Sequence, residues 1–243
     1  MLLRRITQHV KSQNWFAVGI DFVIVVVGVF IGIQVSNWNE TRVEFQRERA
    51  LIERLHLDFV GIVTWGEKIM PTVNAAPGEI GWLIEQIRAD SKPELGEKFT
   101  QAASASIELF ATFEMSPTYQ ELVSTGNLSR ISNPELRDWL ANYGRSRQAE
   151  MVVTNGLYAL QNKGVMRQAI RFHVPSDYPE QSFDVGGSLS EITIPVSFDW
   201  EALKRTEPHL HLVMQNHDYV RGWKQDTFRD AQRVLKLLNQ ELE

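Results

Sequence analysis

The chain has 243 residues, no cysteine and a formal net charge of −5, and 43% of its residues are hydrophobic. The absence of cysteine excludes disulfide bonds and thiolate metal sites, and the acidic balance argues against nucleic acid as the main partner. Beyond an N-terminal apolar segment, the length suffices for one domain with a hydrophobic core of its own.

Residues 16–35 form a continuous apolar run whose only polar side chains are Asp21 and Gln34. A bilayer hydrocarbon core about 30 Å thick needs about 20 such residues in a helix. Trp15 and Trp38 bracket the run at about the separation of the two headgroup layers, where tryptophan is enriched. The run is therefore predicted to span a membrane, with Trp15 and Trp38 as interface anchors.

A cleaved signal peptide is the alternative interpretation of this run. Signal peptides have apolar regions of roughly 7–15 residues, followed by a cleavage site of the small-x-small type. The run is longer, contains Asp21 and ends in residues 34–38 (QVSNW), which make a poor cleavage site. We therefore expect an uncleaved anchor.

The flanks of the run predict its orientation. Lysine and arginine counts are nearly equal on the two sides, but the leading flank has no acid. A short basic tail is retained easily in the cytoplasm, and large domains translocate largely regardless of charge. We expect residues 1–15 to form a cytoplasmic tail, residues 16–36 a transmembrane helix and residues 37–243 a helical domain outside the cytoplasm.

Apolar residues at steps of three and four predict a long helix over residues 41–69. The membrane helix continues into it unless a cap at residues 36–39 restarts the helix. Pro71 and Pro77 are predicted to end the long helix, and a short separate helix follows over residues 79–89.

The next helix is predicted to begin at a capping box, Ser91-Lys92-Pro93-Glu94. Its core stripe is predicted to consist of Leu95, Phe99, Ala103, Phe110 and Phe113. Ser116-Pro117 is predicted to start a further helix, and Gly126-Asn127 to end it, because both of these residues tolerate a left-handed backbone.

A longer helix is predicted to begin at Asn133-Pro134 and to extend to about Arg171. Residues 174–198 form the one long irregular stretch, with at most a small hairpin near residues 189–196. Asp199 is predicted to cap a short helix that precedes a last long helix from about Pro208. The inner face of that last helix is predicted to carry Leu210, Val213, His217, Val220, Ala231, Val234 and Leu238.

The chain is therefore predicted to be all-α. An N-terminal transmembrane helix is followed by an extramembrane helical bundle with one long irregular loop or small hairpin.

Two segments carry recognisable motifs. In the first, Phe22–Glu40, an apolar run with Gly28 and Gly32 leads into Asn-Trp-Asn-Glu, and the second extends from Ser116 to Arg137. Both resemble an uncharacterised family of bacterial single-pass membrane proteins, although the commonest members have glutamate where this chain has Asp21. The resemblance implies a single-pass architecture in the bacterial inner membrane and supplies no catalytic residue. With the orientation expected from the flanks, the N-terminus lies in the cytoplasm and the body in the periplasm.

Asp21, Gly28 and Gly32 are predicted to share one face of the membrane helix, because at 100° per residue they fall within about 40° of one line. A GxxxG pair lets two helix backbones approach closely, and an intramembrane acid is costly unless it faces protein or water. We interpret this face as a helix–helix interface, for self-association or for another membrane protein. The alternative is that Asp21 is hydrated near the cytoplasmic headgroups.

Catalytic motifs of hydrolases, P-loop proteins and dinucleotide-binding enzymes are missing from the sequence, so we expect neither enzymatic activity nor a cofactor. His209 and His211 point to different sides of a helix and His217 lies on an inner face, so no metal site is predicted.

The leading hypothesis is a non-enzymatic interaction or assembly protein of the bacterial envelope, embedded in the lipid bilayer and docking on another membrane or periplasmic protein. One alternative is a periplasmic small-ligand binding or sensor module with a pocket between helices. Another is an ion-coupled accessory subunit that uses Asp21, similar to the accessory subunits of TonB systems and flagellar stators.

Overall fold

A computed structural model describes residues 15–107, 111–161, 164–173 and 194–243. Their backbone is helical apart from two short strands and the connecting segments. The predicted fold class is confirmed, since a long N-terminal apolar helix is followed by a helical bundle. The chain divides into two compact units, of which the first ends at Ala50 and the second begins at Leu51.

The first helix, α1, extends without interruption from Trp15 to Arg88. The prediction that Pro71 and Pro77 end it, with a separate helix from Glu79, is therefore wrong. A proline inside a helix costs about 3 kcal/mol, because it removes one hydrogen bond and crowds a carbonyl group. Here the turns around both prolines bury apolar side chains, and this burial outweighs the local cost. These buried residues are Met70, Val73, Ala76, Ile80 and Leu83.

The predicted helix start at Ser91 is also wrong, because Ser91 lies in the turn that ends α1. Its backbone N–H donates to the Gln86 carbonyl at 3.0 Å, and the N–H of Asp90 donates to the Ile87 carbonyl at 3.1 Å. Asp90 itself has a φ of 47°. This pair of hydrogen bonds around a left-handed residue is a Schellman motif, which ends a helix.

The second helix, α2, spans Glu97–Ala105, with Gly96 at its N-cap. Its predicted core stripe is correct in the middle, where Phe99 and Ala103 are buried. Leu95 is half exposed, whereas Phe113 enters the core from the irregular segment 111–116. Phe110 lies outside the described residues.

The predicted cap at Ser116 is confirmed. Its Oγ accepts a hydrogen bond from the Tyr119 N–H at 3.1 Å and begins the third helix, α3, at Pro117–Ser124. Gly126 follows with a φ of 70°, the left-handed conformation predicted for the end of this helix. A single 3₁₀ turn, Leu128–Arg130, leads to the next helix.

That next helix, α4, spans Pro134–Gln161, and the predicted cap is again confirmed. The side-chain carbonyl of Asn133 accepts a hydrogen bond from a backbone N–H of the first turn at 3.1 Å. The predicted extension of α4 to Arg171 is wrong. Gly164 has a φ of 65°, and a short helix, α5 (Val165–Ala169), separates α4 from Arg171, which lies in a strand.

Two antiparallel strands, β1 (Ile170–His173) and β2 (Ile194–Phe198), form a small sheet. Of the small hairpin predicted near residues 189–196, the structure describes only the part from Ile194 onward, which belongs to β2. Its partner is β1, whose residues the sequence predicts to lie at the end of α4. The remainder of the predicted loop, residues 174–193, lies outside the described residues.

The chain ends with a short helix, α6 (Trp200–Lys204), and a long helix, α7 (Glu207–Leu242). The predicted cap of α6 is confirmed, because the Asp199 carboxylate accepts a hydrogen bond from the Ala202 N–H at 3.1 Å. The predicted inner face of α7 is confirmed as well. All its members, Leu210, Val213, His217, Val220, Ala231, Val234 and Leu238, are buried.

Three helical segments enclose the core of the second unit. Helix α7 is antiparallel to residues 51–88 of α1, since His56 bonds Asn239 near one end and Arg88 bonds Glu207 at the other. Helix α4 is also antiparallel to α7, as the ion pair between Glu135 and Arg233 and the bond between Asn133 and Glu241 require. The rings of Phe59 and Tyr143, 4.9 Å apart, join α1 to α4.

Candidate functional site

Helix α1 is the one helix of the described chain that is long and apolar enough to cross a membrane, and its apolar stretch lies in the first unit. Every side chain from residue 19 to residue 42 is exposed. The large apolar side chains of this stretch are 44–69% exposed, namely Ile20, Phe22, Val23, Ile24, Val25, Val26, Val27, Val29, Phe30, Ile31, Ile33 and Val35. Residues 20–35 of α1 therefore present apolar side chains on all sides of the helix.

The predicted interface residues Asp21, Gly28 and Gly32 all lie on this part of α1, and all three are exposed. Outside the helix's own backbone, no described atom lies within 4 Å of the position that a Cβ would occupy at either glycine. At 100° per residue the three positions fall on one side of the helix. The structure thus brings them to one uncovered face.

Trp38, the second predicted anchor, is 66% exposed at the C-terminal end of the apolar stretch. The Cζ of Arg42 lies 5.9 Å from the centre of its ring, one helical turn further along. A cation above an indole ring is attracted to the electron-rich face. Trp15 is the first residue of α1, and its side chain lies outside the described part of the chain.

A buried ion pair lies in the core of the second unit. The Nζ of Lys224 on α7 donates to the Glu150 carboxylate on α4 at 2.8 Å, and neither side chain is exposed. Lys224 also donates to the Ala111 carbonyl at 2.6 Å, and Glu150 accepts the Phe113 N–H at 3.2 Å. Burial lowers the pKa of Lys224, and the Glu150 carboxylate opposes that shift.

Arg147, one turn before Glu150 on α4, is 9% exposed and extends this buried cluster. Its Nη2 donates to the Thr112 hydroxyl at 3.3 Å. Together, the three charged side chains satisfy polar groups of residues 111–113, a segment that has no helix or strand of its own to do so. Within the described residues, the Nε and Nη1 of Arg147, Oε2 of Glu150 and the Thr154 hydroxyl find no hydrogen-bond partner.

The spacing of charged residues along α4 indicates this buried cluster, although the positions of the apolar residues alone do not. Leu136, Leu140 and Tyr143 mark the inner stripe of α4, and all three are buried. The same steps of three and four lead on to Arg147, Glu150 and Thr154. Charged residues that continue an apolar stripe are expected to be buried and paired.

The histidines of α7 have separate environments. His211 contacts Arg88 and Glu207 at the surface, whereas His217 is 4% exposed in the core. Burial lowers the pKa of His217 to about 4, and a hydrogen bond with the Ala105 backbone opposes the shift. Within the described ranges, no group of three or more histidine, aspartate or glutamate side chains is arranged to hold a metal ion.

Asp58 of α1 anchors the start of α3, the segment in which the second recognisable motif begins. Its carboxylate accepts hydrogen bonds from the Ser116 hydroxyl at 2.7 Å and from the Thr118 N–H at 3.0 Å. An exposed ion pair of 2.5 Å between Arg54 and Glu121 lies one turn away. Ser116, Thr118 and Glu121, at the start of this motif, therefore hold α3 against α1.

A shallow groove of about 540 Å³ lies between α3 and α4. Tyr119 and Met115 form one wall, and residues 141–153 of α4 form the other, with Arg145 and Gln148 as the polar groups. Gly144 makes the close approach possible, since a Cβ there would lie 2.5 Å from the Tyr119 hydroxyl. The groove is mostly apolar and open to solvent along Val152, which is 61% exposed.

Comparisons with known proteins add no relative to this description: no family model, no curated protein and no solved structure matches the chain.

Proposed function

We propose that the protein is a single-pass protein of the bacterial inner membrane whose second unit is a non-enzymatic interaction or assembly module. In this proposal residues 16–36 span the bilayer, residues 1–15 lie in the cytoplasm and residues 37–243 lie in the periplasm. The observation that carries the proposal is the uncovered apolar surface of α1 in the first unit.

The energetic cost of that surface in water supports membrane insertion. Leaving a large apolar side chain in water, rather than burying it, costs roughly 1.5–3 kcal/mol. Twelve such side chains lie about half exposed between Ile20 and Val35, so moving them from water into lipid gains on the order of 10–20 kcal/mol. A lipid environment removes this cost, and a helix satisfies its own backbone hydrogen bonds there.

The envelope location has a separate basis. The bacterial inner membrane and the periplasmic position of the second unit follow from the resemblance of residues 22–40 to bacterial single-pass proteins and from the acid-free leading flank.

The interaction role is supported by the way the polar residues of the second unit are used. Buried Lys224 and Glu150 hold the irregular segment 111–113, and Asp58 holds α3. These groups stabilise the fold, whereas the Asp21, Gly28 and Gly32 face is left uncovered. We propose that this face contacts another membrane protein, since small residues permit close helix packing and an intramembrane acid needs a polar partner.

Alkaline extraction of membranes tests the anchor. The full-length chain is expected to remain in the membrane pellet at high pH, and intact-mass analysis is expected to find the apolar run still attached. Release into the soluble fraction would contradict membrane insertion. A mature chain that lacks the run would identify it as a signal peptide.

Capture of the native complex in mild detergent tests the interaction role. The wild-type chain is expected to retain a membrane protein that the Gly28→Leu/Gly32→Leu variant loses. Equal capture by both chains would show that the face formed by Asp21, Gly28 and Gly32 (the glycine face) is not the docking surface.

The groove beside Tyr119 favours a second candidate function, a binding module for a small amphiphilic ligand. Apolar walls with a few polar groups suit such a ligand, and the volume falls within the usual range for ligand pockets. Dodecanoate, titrated onto the chain in lipid nanodiscs, would then raise the unfolding temperature of the wild type but not of an Ala149→Trp variant, in which the groove is filled. The absence of any shift would exclude this probe as a ligand.

A further inference from the structure

A second row of side chains on the same part of α1 is also exposed and differs from the glycine face. It consists of Val27, Ile31, Gln34, Trp38, Thr41 and Phe45, at alternating steps of four and three residues. Each is exposed, and Trp38 and Phe45 are 66% and 64% exposed. Steps of four and three repeat every seven residues, the spacing at which two helices pack side by side along their length.

The row and the glycine face point in different directions. At 100° per residue, the row is centred about 120° around the helix from Asp21, Gly28 and Gly32. One helix therefore presents two faces, which different partners can occupy at the same time.

We propose that a second copy of this chain covers the row, so that α1 forms a parallel dimer through residues 27–45. This inference rests on the proposed function, because both copies must be inserted in the same membrane with the same orientation. Anchoring both copies in one membrane also raises the effective concentration of the two helices. A short contact such as this row can then hold a dimer together.

The charged residues beside the row favour pairing with a second copy in parallel orientation. Glu44 lies on one flank, and Arg42 and Arg49 lie on the other. In a parallel pair, a residue on the first flank faces the residue five positions later on the second flank of the partner, so Glu44 faces Arg49. An antiparallel pair would place each flank against itself, with arginine facing arginine. Glu48 and Arg49 also interact with groups of their own chain. The pairing of Glu44 with the partner's Arg49 is argued from the positions of these charges around the helix.

Gln34 supports the same partner. It is the polar side chain of the row that lies within the apolar stretch, and it is exposed there. A glutamine amide both donates and accepts hydrogen bonds, so two copies of Gln34 facing each other satisfy one another. Polar side chains of this kind hold transmembrane helices together.

Disulfide cross-linking in native membranes tests the proposal, because the natural chain has no cysteine. Full-length Thr41→Cys places a thiol in the row, and Val43→Cys places one on the opposite side of the helix at nearly the same depth. With a mild oxidant, the Thr41→Cys chain is expected to form a covalent dimer and the Val43→Cys chain much less. Random collisions would cross-link both equally, and that result would overturn the proposal.

Further changes in the Thr41→Cys chain test the chemistry of the row. Gln34→Leu is expected to lower the cross-linked fraction about fivefold, the scale of one polar contact in a membrane. Glu44→Arg is expected to lower it as well, and the exchange Glu44→Arg/Arg49→Glu is expected to restore it. Gly28→Leu/Gly32→Leu is expected to leave it unchanged. Loss of the dimer in the glycine variant alone would place the contact on the other face and overturn the proposal.

Alkaline extraction of the same membranes separates the two possible failures. If the chain leaves the membrane, the proposed function fails and the dimer with it. If the chain stays in the membrane and Thr41→Cys gives no more dimer than Val43→Cys, only the dimer is wrong.

Discussion

Lys224 and Glu150 form an ion pair of 2.8 Å in which neither side chain reaches solvent. The pair joins α7 to α4 and also binds the backbone of Ala111 and Phe113. A buried charge whose partner is removed is far more costly than a pair replaced as a whole. The pair therefore identifies the place where the second unit is most sensitive to a single substitution.

Lys224→Met is expected to lower the free energy of unfolding by about 3–5 kcal/mol, because Glu150 keeps a buried charge without its cation. Thermal unfolding of the full chain in detergent, followed by circular dichroism, measures this loss. The double variant Lys224→Met/Glu150→Gln is the matched control, since glutamine keeps an acceptor for the Phe113 N–H. It is expected to be more stable than Lys224→Met alone. A double variant as unstable as the single one would show that charge burial is not the cause.

His217 is expected to make the fold less stable in acid. Burial lowers its pKa to about 4, below the ordinary value of 6.5. Between these pH values the unfolded chain binds a proton that the folded chain does not, so stability falls as the pH falls, by roughly 3 kcal/mol at the lower limit. Urea unfolding at pH 7 and at pH 4.5 is expected to show a smaller acid loss for His217→Asn than for the wild type. Equal losses would mean that other groups cause the acid sensitivity.

A side chain at position 66 is expected to destabilise the fold. A Cβ at this position of α1 would lie 2.4 Å from the Phe228 ring and 2.9 Å from the Phe113 ring. Overpacking of this kind costs about 1–3 kcal/mol, so Gly66→Ala is expected to lower the unfolding temperature. Gly61→Ala, on the same helix with open space at its Cβ position, is the control. Alanine there is expected to stabilise by about 0.5–1 kcal/mol, and a loss of stability at Gly61 as large as that at Gly66 would contradict the steric explanation.

Association through the glycine face is expected to depend on close packing at the glycines more than on the charge of Asp21. Gly28→Leu/Gly32→Leu adds bulk where two backbones must meet, and it is expected to weaken association with the partner membrane protein strongly. Asp21→Asn keeps a polar side chain and is expected to weaken association only mildly. Val26→Leu/Ile33→Leu is the control, because it changes neither the glycine face nor the row that begins at Val27. A two-hybrid assay in the membrane compares the variants, and equal signals from all of them would mean that the glycines face lipid.

Local signals in the sequence were sufficient where a side chain acts on its own backbone. Ser116, Asn133 and Asp199 accept hydrogen bonds from helix N-termini as predicted. Gly126 adopts the left-handed backbone conformation predicted for the end of α3. These interactions span a few residues, so the spacing along the chain contains all the information that they need.

The errors arose where distant contacts override local preference. Helix α1 continues through Pro71 and Pro77 because the residues around them are buried against the rest of the second unit. Strand β1 forms because β2 pairs with it from more than twenty residues further along the chain. The partner of Glu150 is Lys224, 74 residues away. No local pattern predicts which distant residue completes such a contact.

Cysteine labelling is the most direct test of the central claim, that α1 anchors this chain in a membrane with its second unit outside the cytoplasm. The natural chain has no cysteine, so Ser12→Cys, Val27→Cys and Gln240→Cys each provide one thiol. Bacterial cells with a permeabilised outer membrane are treated with a maleimide that does not cross the inner membrane. Gln240→Cys is expected to be labelled before lysis, Ser12→Cys only after lysis, and Val27→Cys only after denaturation. Ready labelling of native Val27→Cys would contradict insertion, and labelling of Ser12→Cys but not Gln240→Cys in unlysed cells would contradict the orientation.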